Sequence, residues 1–190
     1  MKLVLATRNA HKLREFSLLL IPHEVEALPD DVELPPETGA TFAENALAKA
    51  RAAAAATGRL VIADDSGIEA AALGGAPGVR SARYAGDDAT DADNLERLLA
   101  EASEGSALRY VCALAVVDPE RGEERLFEGS CTGRLAAEPR GHGGFGYDPA
   151  FLPDDDHSDR TMAELSSAEK DAISHRGRAS RELLAWLAAR

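Results

Sequence analysis

Two aspartates side by side, Asp64 and Asp65, followed by Ser66 and Gly67, stand directly after the apolar run Leu60 to Ala63. Such a run reads as a buried strand, and ligand sites of α/β sheets gather at the carboxyl ends of strands. Adjacent carboxylates there crowd negative charge that a divalent cation would neutralise. One of them can bind Mg²⁺ while the other takes a proton from an attacking water. The same four residues also make an ordinary acidic turn with Asp64 as a helix cap. Glu37, in the acidic segment before the second helix, is a candidate further ligand.

Three more segments carry chemistry. Thr7, Arg8, Asn9, Ala10, His11 and Lys12 fall between a strand and a helix, where backbone N–H groups joined by hydroxyl, amide and ammonium donors form an anion site suited to phosphates. A plain helix cap made by Thr7 or Asn9 uses the same residues. In the run Gly143, Gly144, Phe145, Gly146, Tyr147, Asp148, Pro149, glycines on either side of an aromatic let the backbone approach a flat ligand. Phe145 can stack on a base and Asp148 can accept from ring N–H groups; a β-turn whose aromatics fill the core is the plainer reading. Lys170, with Ser174, His175, Arg176 and Gly177, offers donors to the carbonyl oxygens of a base, or else a solvated helix face. Lysine links these segments. Of 21 basic residues only four are Lys and 17 are Arg, and Lys12, Lys49 and Lys170 all lie in or beside the segments, with Lys2 alone outside. A compact ammonium on a flexible stem does different work from a planar guanidinium fork.

The elements that must position these groups follow from periodicity. Lys2 to Ala6 reads as a strand and Leu13 to Ile21 as a helix, with apolar residues at 13, 16, 19 and 20. Pro22 to Thr38 is a proline- and acid-rich connection with at most a short edge strand. Thr41 with Glu44 forms a capping box that opens an alanine-rich helix to about Thr57, stopped by Gly58. Leu60 to Ala63 is a second buried strand ending at the aspartate pair. Gly67 to Gly86, with five glycines and one proline, reads as a binding loop. Asp91 to Ala102 is a helix, and Arg109 to Val117 and Arg125 to Cys131 are strands of a hairpin turning at Asp118 to Gly122. Gly141 to Pro149 is a second glycine-rich loop. Ser166 with Glu169 is another capping box, and Arg178 to Arg190 is a closing amphipathic helix.

Composition narrows the function classes. The 190 residues, 45% hydrophobic and 28% charged, suit one α/β domain spanning 1–190 and exclude disordered or fibrous chains. A net charge of −12 argues against sequence-independent binding to nucleic acid, which needs a broad cationic surface. No apolar run is long enough to span a bilayer, and the residues after Met1 are too few for a signal-peptide core, so a soluble cytoplasmic protein without membrane partners is expected. Cys112 and Cys131 lie far apart, with no metal-finger spacing, and are expected to be reduced and buried. A haloacid-dehalogenase-type phosphatase needs a second Asp two residues after its nucleophile, where this chain has Ser66 or Gly67. A Walker-type NTPase needs GxxxxGK[ST], which does not occur.

The series LATRNAHK, ETGATFAENALAKA, ADDSGIEAAALGGAPGVRSARYAG, GGFGYDPAF, MAEL and EKDAISHRG closely resembles, in order and spacing and over nearly the whole chain, the RdgB/HAM1 family of non-canonical purine nucleoside triphosphate pyrophosphatases, related to inosine triphosphatase. The resemblance implies an α/β fold with an elongated central mixed sheet flanked by helices, in a homodimer. It implies hydrolysis of ITP, dITP and XTP to the monophosphate and pyrophosphate with one or more Mg²⁺ per subunit. It assigns Thr7 to Lys12 and Lys49 to phosphate, Asp65 to the general base, and Glu37 and Asp65 with Asp64 to Mg²⁺. Ser66, Phe145, Gly146, Tyr147, Asp148, Lys170, His175 and Arg176 complete the nucleotide site. Arg8 departs from the family, whose members often carry Gly there.

Overall fold

The computed structural model describes residues 1–190. In chain order the regular elements are β1 (Lys2–Leu5), α1 (Ala10–Leu19), β2 (Glu24–Ala27), α2 (Phe42–Thr57), β3 (Val61–Ala70), α3 (Asp91–Glu101), β4 (Ala107–Asp118), β5 (Glu123–Leu135), β6 (Phe151–Pro153), α4 (Ser167–Ile173) and α5 (His175–Ala188), with four short 3₁₀ turns between them. The strands form one mixed sheet in the order β2-β1-β3-β4-β5-β6. Two compact units share the chain: Met1–Asp65 with Cys112–Gly129 and Arg178–Arg190, and Ser66–Val111 with Ser130–Gly177. The long strands β3, β4 and β5 contribute residues to each.

In the first unit β1 runs parallel to both β2 and β3, pairing Leu5 with Ala27 and with Ile62. A strand flanked by parallel neighbours loses its polar alternation, and Leu3, Val4 and Leu5 are all fully buried. Leu3, Leu5, Phe16, Leu20, Ile62, Leu114, Val116 and Leu183 pack into one core. α1 begins three residues earlier than its apolar period suggests, because Asn9 caps it by accepting from the N–H groups of His11 and Lys12. The expected box at Thr41 is half made. Thr41 Oγ1 accepts from Glu44 N, but the Glu44 carboxylate takes the N–H of Ala40, one residue too early for the reciprocal bond. Gly58, at φ 64°, ends α2 as expected, in the left-handed conformation that favours glycine. The β4–β5 turn is also as expected, with Asp118 Oδ1 accepting from the N–H groups of Glu120 and Arg121.

The second unit builds its own core from Ile68, Leu98, Leu108, Tyr110, Leu135, Phe151 and Met162. Here the strand expected to stop at the aspartates instead continues through them to Ala70. Ile68 and Ala70 are fully buried, and that apolar alternation carries the strand past its charged centre. The segment from Gly67 to Gly86 is correspondingly not an open loop. Its start is strand, residues 71–73 and 78–83 are 3₁₀ turns, and Ser81 Oγ accepts from Ile68 N and donates to Gly78 O. A Cβ on Gly67 would come within 2.3 Å of Ser81 Oγ, so glycine serves close packing there. β6 pairs antiparallel with β5, and capping boxes close at Thr90–Asp93, Thr161–Glu164 and, as expected, Ser166–Glu169.

Candidate active site

In the first unit the two aspartates are split by the strand that carries them. Successive side chains of a strand point to opposite faces, and each carboxylate finds its own cation. Asp64 Oδ1 lies 3.1 Å from Lys12 Nζ in the first turn of α1. Asp65 Oδ1 lies 3.7 Å from Lys49 Nζ, and its Oδ2 accepts a 2.9 Å hydrogen bond from Asn45 Nδ2, one turn before Lys49 on α2. Lys49 also donates to Glu37 Oε1 at 2.6 Å and to the Asp64 backbone oxygen at 2.7 Å. One ammonium therefore joins Glu37, Asp64 and Asp65. Burial opposes the charge on Lys49, yet the surrounding carboxylates of Asp64, Asp65 and Glu37 hold its pKa above the ordinary lysine value. Burial pushes the Asp65 carboxyl above the usual carboxylate range; Lys49 pulls it down and Glu37 adds to the rise.

No three His, Cys, Asp or Glu side chains gather into a ready metal cage. What the fold supplies is Glu37 and Asp65 on a common cation. That donor set suits Mg²⁺, which takes one or two carboxylates and keeps its other positions for water and substrate phosphate.

The segment Thr7 to Lys12 is arranged as a capped helix start. Thr7 Oγ1 accepts from Asn9 N, Asn9 Oδ1 accepts from His11 N and Lys12 N, and Ala10 is the first helical residue. Arg8 turns elsewhere. Its guanidinium donates to the backbone oxygens of Leu28, Pro29 and Val32 at 2.9, 2.8 and 2.6 Å, fastening the segment that leads to Glu37.

In the second unit most of the remaining predicted residues meet around Phe145. The Arg176 guanidinium and the Lys170 ammonium lie over its ring, 5.0 and 5.3 Å from the centroid. Arg176 also donates to Ser66 Oγ at 2.7 Å. Asp148 Oδ2 accepts from Lys170 Nζ at 2.8 Å and from Phe145 N at 2.9 Å. Gly144, at φ 70°, leaves room for that carboxylate, since a Cβ would sit 2.0 Å from Asp148 Oδ2. His175 is buried at the start of α5, its ring stacked on Tyr110. Tyr147 stands apart, its hydroxyl donating to Ser81 O within the core. Gly146 N donates to Asp91 Oδ2.

Two residues in contact with these groups escaped the sequence reading. Asn45 left a trace, a polar residue on the face of α2 that otherwise buries Phe42, Ala46, Ala50 and Ala53. Tyr110 left none, because a tyrosine in a strand reads as core.

Residues 3–186 match the model of the Ham1 family. The chain belongs to the Ham1 family. It is 52% identical to a dITP/XTP pyrophosphatase of Mycolicibacterium paratuberculosis, over 96% of this chain and 93% of that one. It is 48% identical to a dITP/XTP pyrophosphatase of Bacillus licheniformis, over 98% and 97% respectively. Among solved Ham1 structures, a HAM1 protein from Coxiella burnetii superposes with a TM-score of 0.86 at 43% identity, covering all of both chains. The mixed α/β architecture expected from the sequence is thus the fold of the family. No helix is long and apolar enough to cross a membrane.

Proposed function

We propose that residues 1–190 act as one catalytic domain that hydrolyses non-canonical purine nucleoside triphosphates (ITP, dITP and XTP) to the monophosphate and pyrophosphate, clearing them from the nucleotide pool. The observation that carries this reading is the shared ammonium of Lys49, which draws Glu37 and Asp65 to one cation in a Ham1 chain. In the first unit Lys12 and Lys49 meet phosphate oxygens, helped by the capped helix start at Thr7 to Lys12. Asp65, kept in place by Asn45, accepts the proton of a water whose oxygen bonds to the α-phosphorus as the bond to the bridging oxygen breaks and pyrophosphate leaves. A bound divalent cation, Mg²⁺ in this reading, would be held by Glu37 and Asp65 with Asp64 nearby, and would offset the polyphosphate charge.

The second unit reads the base. Phe145 stacks on it, and Arg176, His175 and Lys170 supply donors toward a 6-oxo group. Adenine presents a 6-amino donor instead and leaves those buried groups unpaired, a mismatch that costs up to about 10⁴-fold. The active species is a homodimer in the cytoplasm.

The test is pyrophosphate release from ITP, XTP, ATP and GTP, measured with Mg²⁺ and with EDTA. Rapid metal-dependent release from ITP and XTP, with ATP and GTP slow, is expected. Orthophosphate as the product places attack at the γ-phosphorus and overturns the reading. ITP binding without turnover makes the chain a nucleotide-binding module.

A further inference from the structure

Tyr110 lies on β4 in the second unit, 6% exposed, outside every motif described above. Its hydroxyl donates to Asp148 Oδ1 at 3.1 Å. Its ring lies face to face with the His175 imidazole, the centroids 4.6 Å apart and the planes 7° from parallel, and its other neighbour Phe151 packs against it at 4.5 Å and 37°. One side chain thereby touches two base-site residues from motifs far apart in the sequence.

The consequences differ for the two contacts. Asp148 Oδ2 is held by Lys170 and by Phe145 N, so Tyr110 is what fixes the other oxygen and stops rotation about the soft terminal torsion of the carboxylate. Burial, and then the neighbouring Asp148 charge, hold the phenol pKa well above its ordinary value, so Tyr110 keeps the proton it donates. The stacked contact fixes the plane of the imidazole, and with it the direction in which the ring nitrogens can bond.

We propose that Tyr110 is a positioning residue for base selection, holding the Asp148 carboxylate by its hydroxyl and the His175 imidazole by its face. The inference rests on the reading of this cluster as the base site. A 6-oxopurine with a proton on N1 offers an acceptor beside a donor, and adenine offers the reverse. Telling them apart requires site groups that cannot reorient to suit either pattern. With Tyr110 gone, a carboxylate free to turn and a ring free to tilt accommodate both.

Tyr110→Phe removes the hydroxyl and retains the stack; Tyr110→Leu removes both. Steady-state pyrophosphate release from ITP and ATP is measured for both variants and the parent, with thermal midpoints alongside. For Tyr110→Phe the expectation is a KM for ITP raised about tenfold with kcat within about twofold, and an ITP-over-ATP ratio of kcat/KM reduced by about tenfold, the size of one hydrogen bond to a charged group. Tyr110→Leu is expected to lower the ratio further. If Tyr110→Leu fails to fold, Tyr110→Phe alone decides. A lowered thermal midpoint with KM for ITP and the ratio unchanged overturns the inference and leaves Tyr110 a core residue. A parent protein that neither turns over nor binds ITP overturns the base-site reading and this inference with it; one that binds ITP without turnover loses only the proposed activity, and the same preference is then read from ITP and ATP affinities, so the failures are told apart by the parent assays.

Discussion

The acidic cluster of the first unit and the aromatic cluster of the second bury charge by different means. In the first, charges answer charges: Lys12 and Lys49 face Glu37, Asp64 and Asp65, two ammoniums against three carboxylates. The set carries one negative charge in excess, and a divalent cation reverses its sign to suit a polyphosphate. In the second, Lys170 pairs with Asp148, both Lys170 and Arg176 lie over the face of Phe145, and Arg176 donates to the Ser66 hydroxyl. An ion-paired cluster can exchange its internal partners for a charged ligand. A cluster whose cations also rest on a ring and a hydroxyl holds its shape and meets a neutral, planar one. The first arrangement fits chemistry on phosphate, the second fits discrimination among bases.

The sharpest way to break this contrast is Asp65→Asn. It removes the proton acceptor but keeps the shape and one acceptor for Asn45, so kcat for ITP should fall by roughly 10²–10⁴-fold, while ITP affinity measured by equilibrium binding stays close to that of the parent. Near-normal turnover would remove Asp65 as the base and turn the first cluster into a binding site only. Arg176→Ala acts on the other side. It takes away the bond to Ser66 and one of the cations over Phe145, and the preference for ITP over ATP should fall by about tenfold to a hundredfold, with kcat for ITP changed far less. An unaltered preference ratio would place base selection elsewhere.

The smallest expected effect concerns acid. The Glu169 carboxyl is held down to about 2, first by Ser166 Oγ and then by Arg160, and it caps the helix that carries Lys170. A depressed carboxyl stabilises the fold above its unfolded pKa and loses that contribution as pH falls through the folded value, here from about 4.5 toward 2. Amide exchange in α4 should therefore quicken across that window, whereas Glu169→Gln should show a flatter profile. Identical profiles would show that the cap's ionisation does not stabilise α4.

Much of this was legible beforehand, for identifiable reasons. The stop at Gly58, the box at Ser166 and the turn at Asp118 are set by neighbours within four residues, where backbone chemistry decides the outcome, and β1 was legible because a wholly apolar run is what a strand between two parallel neighbours requires. The errors fall where packing overrules local pattern. β3 runs on through Asp64 and Asp65 because Lys12, Lys49 and Asn45 neutralise and bond them, and buried Ile68 and Ala70 anchor the strand beyond. β6 is three residues long and exists through its pairing with β5. Arg8, placed by its position in the phosphate segment, spends its guanidinium on the carbonyl oxygens of residues 28–32, contacts that no local pattern announces.

The sequence by itself therefore determined which chemical groups are present, that they sit in ordered motifs, and which family the chain belongs to, because long motifs in fixed order are written directly in the chain. Tertiary structure alone decided who partners whom. It sent Asp64 to Lys12 and Asp65 to Asn45 and Lys49, and it set Tyr110 beneath Asp148 and His175. A strand turns consecutive side chains to opposite faces, and contacts between distant segments depend on how sheets and helices pack, so neither pairing can be read from spacing along the chain.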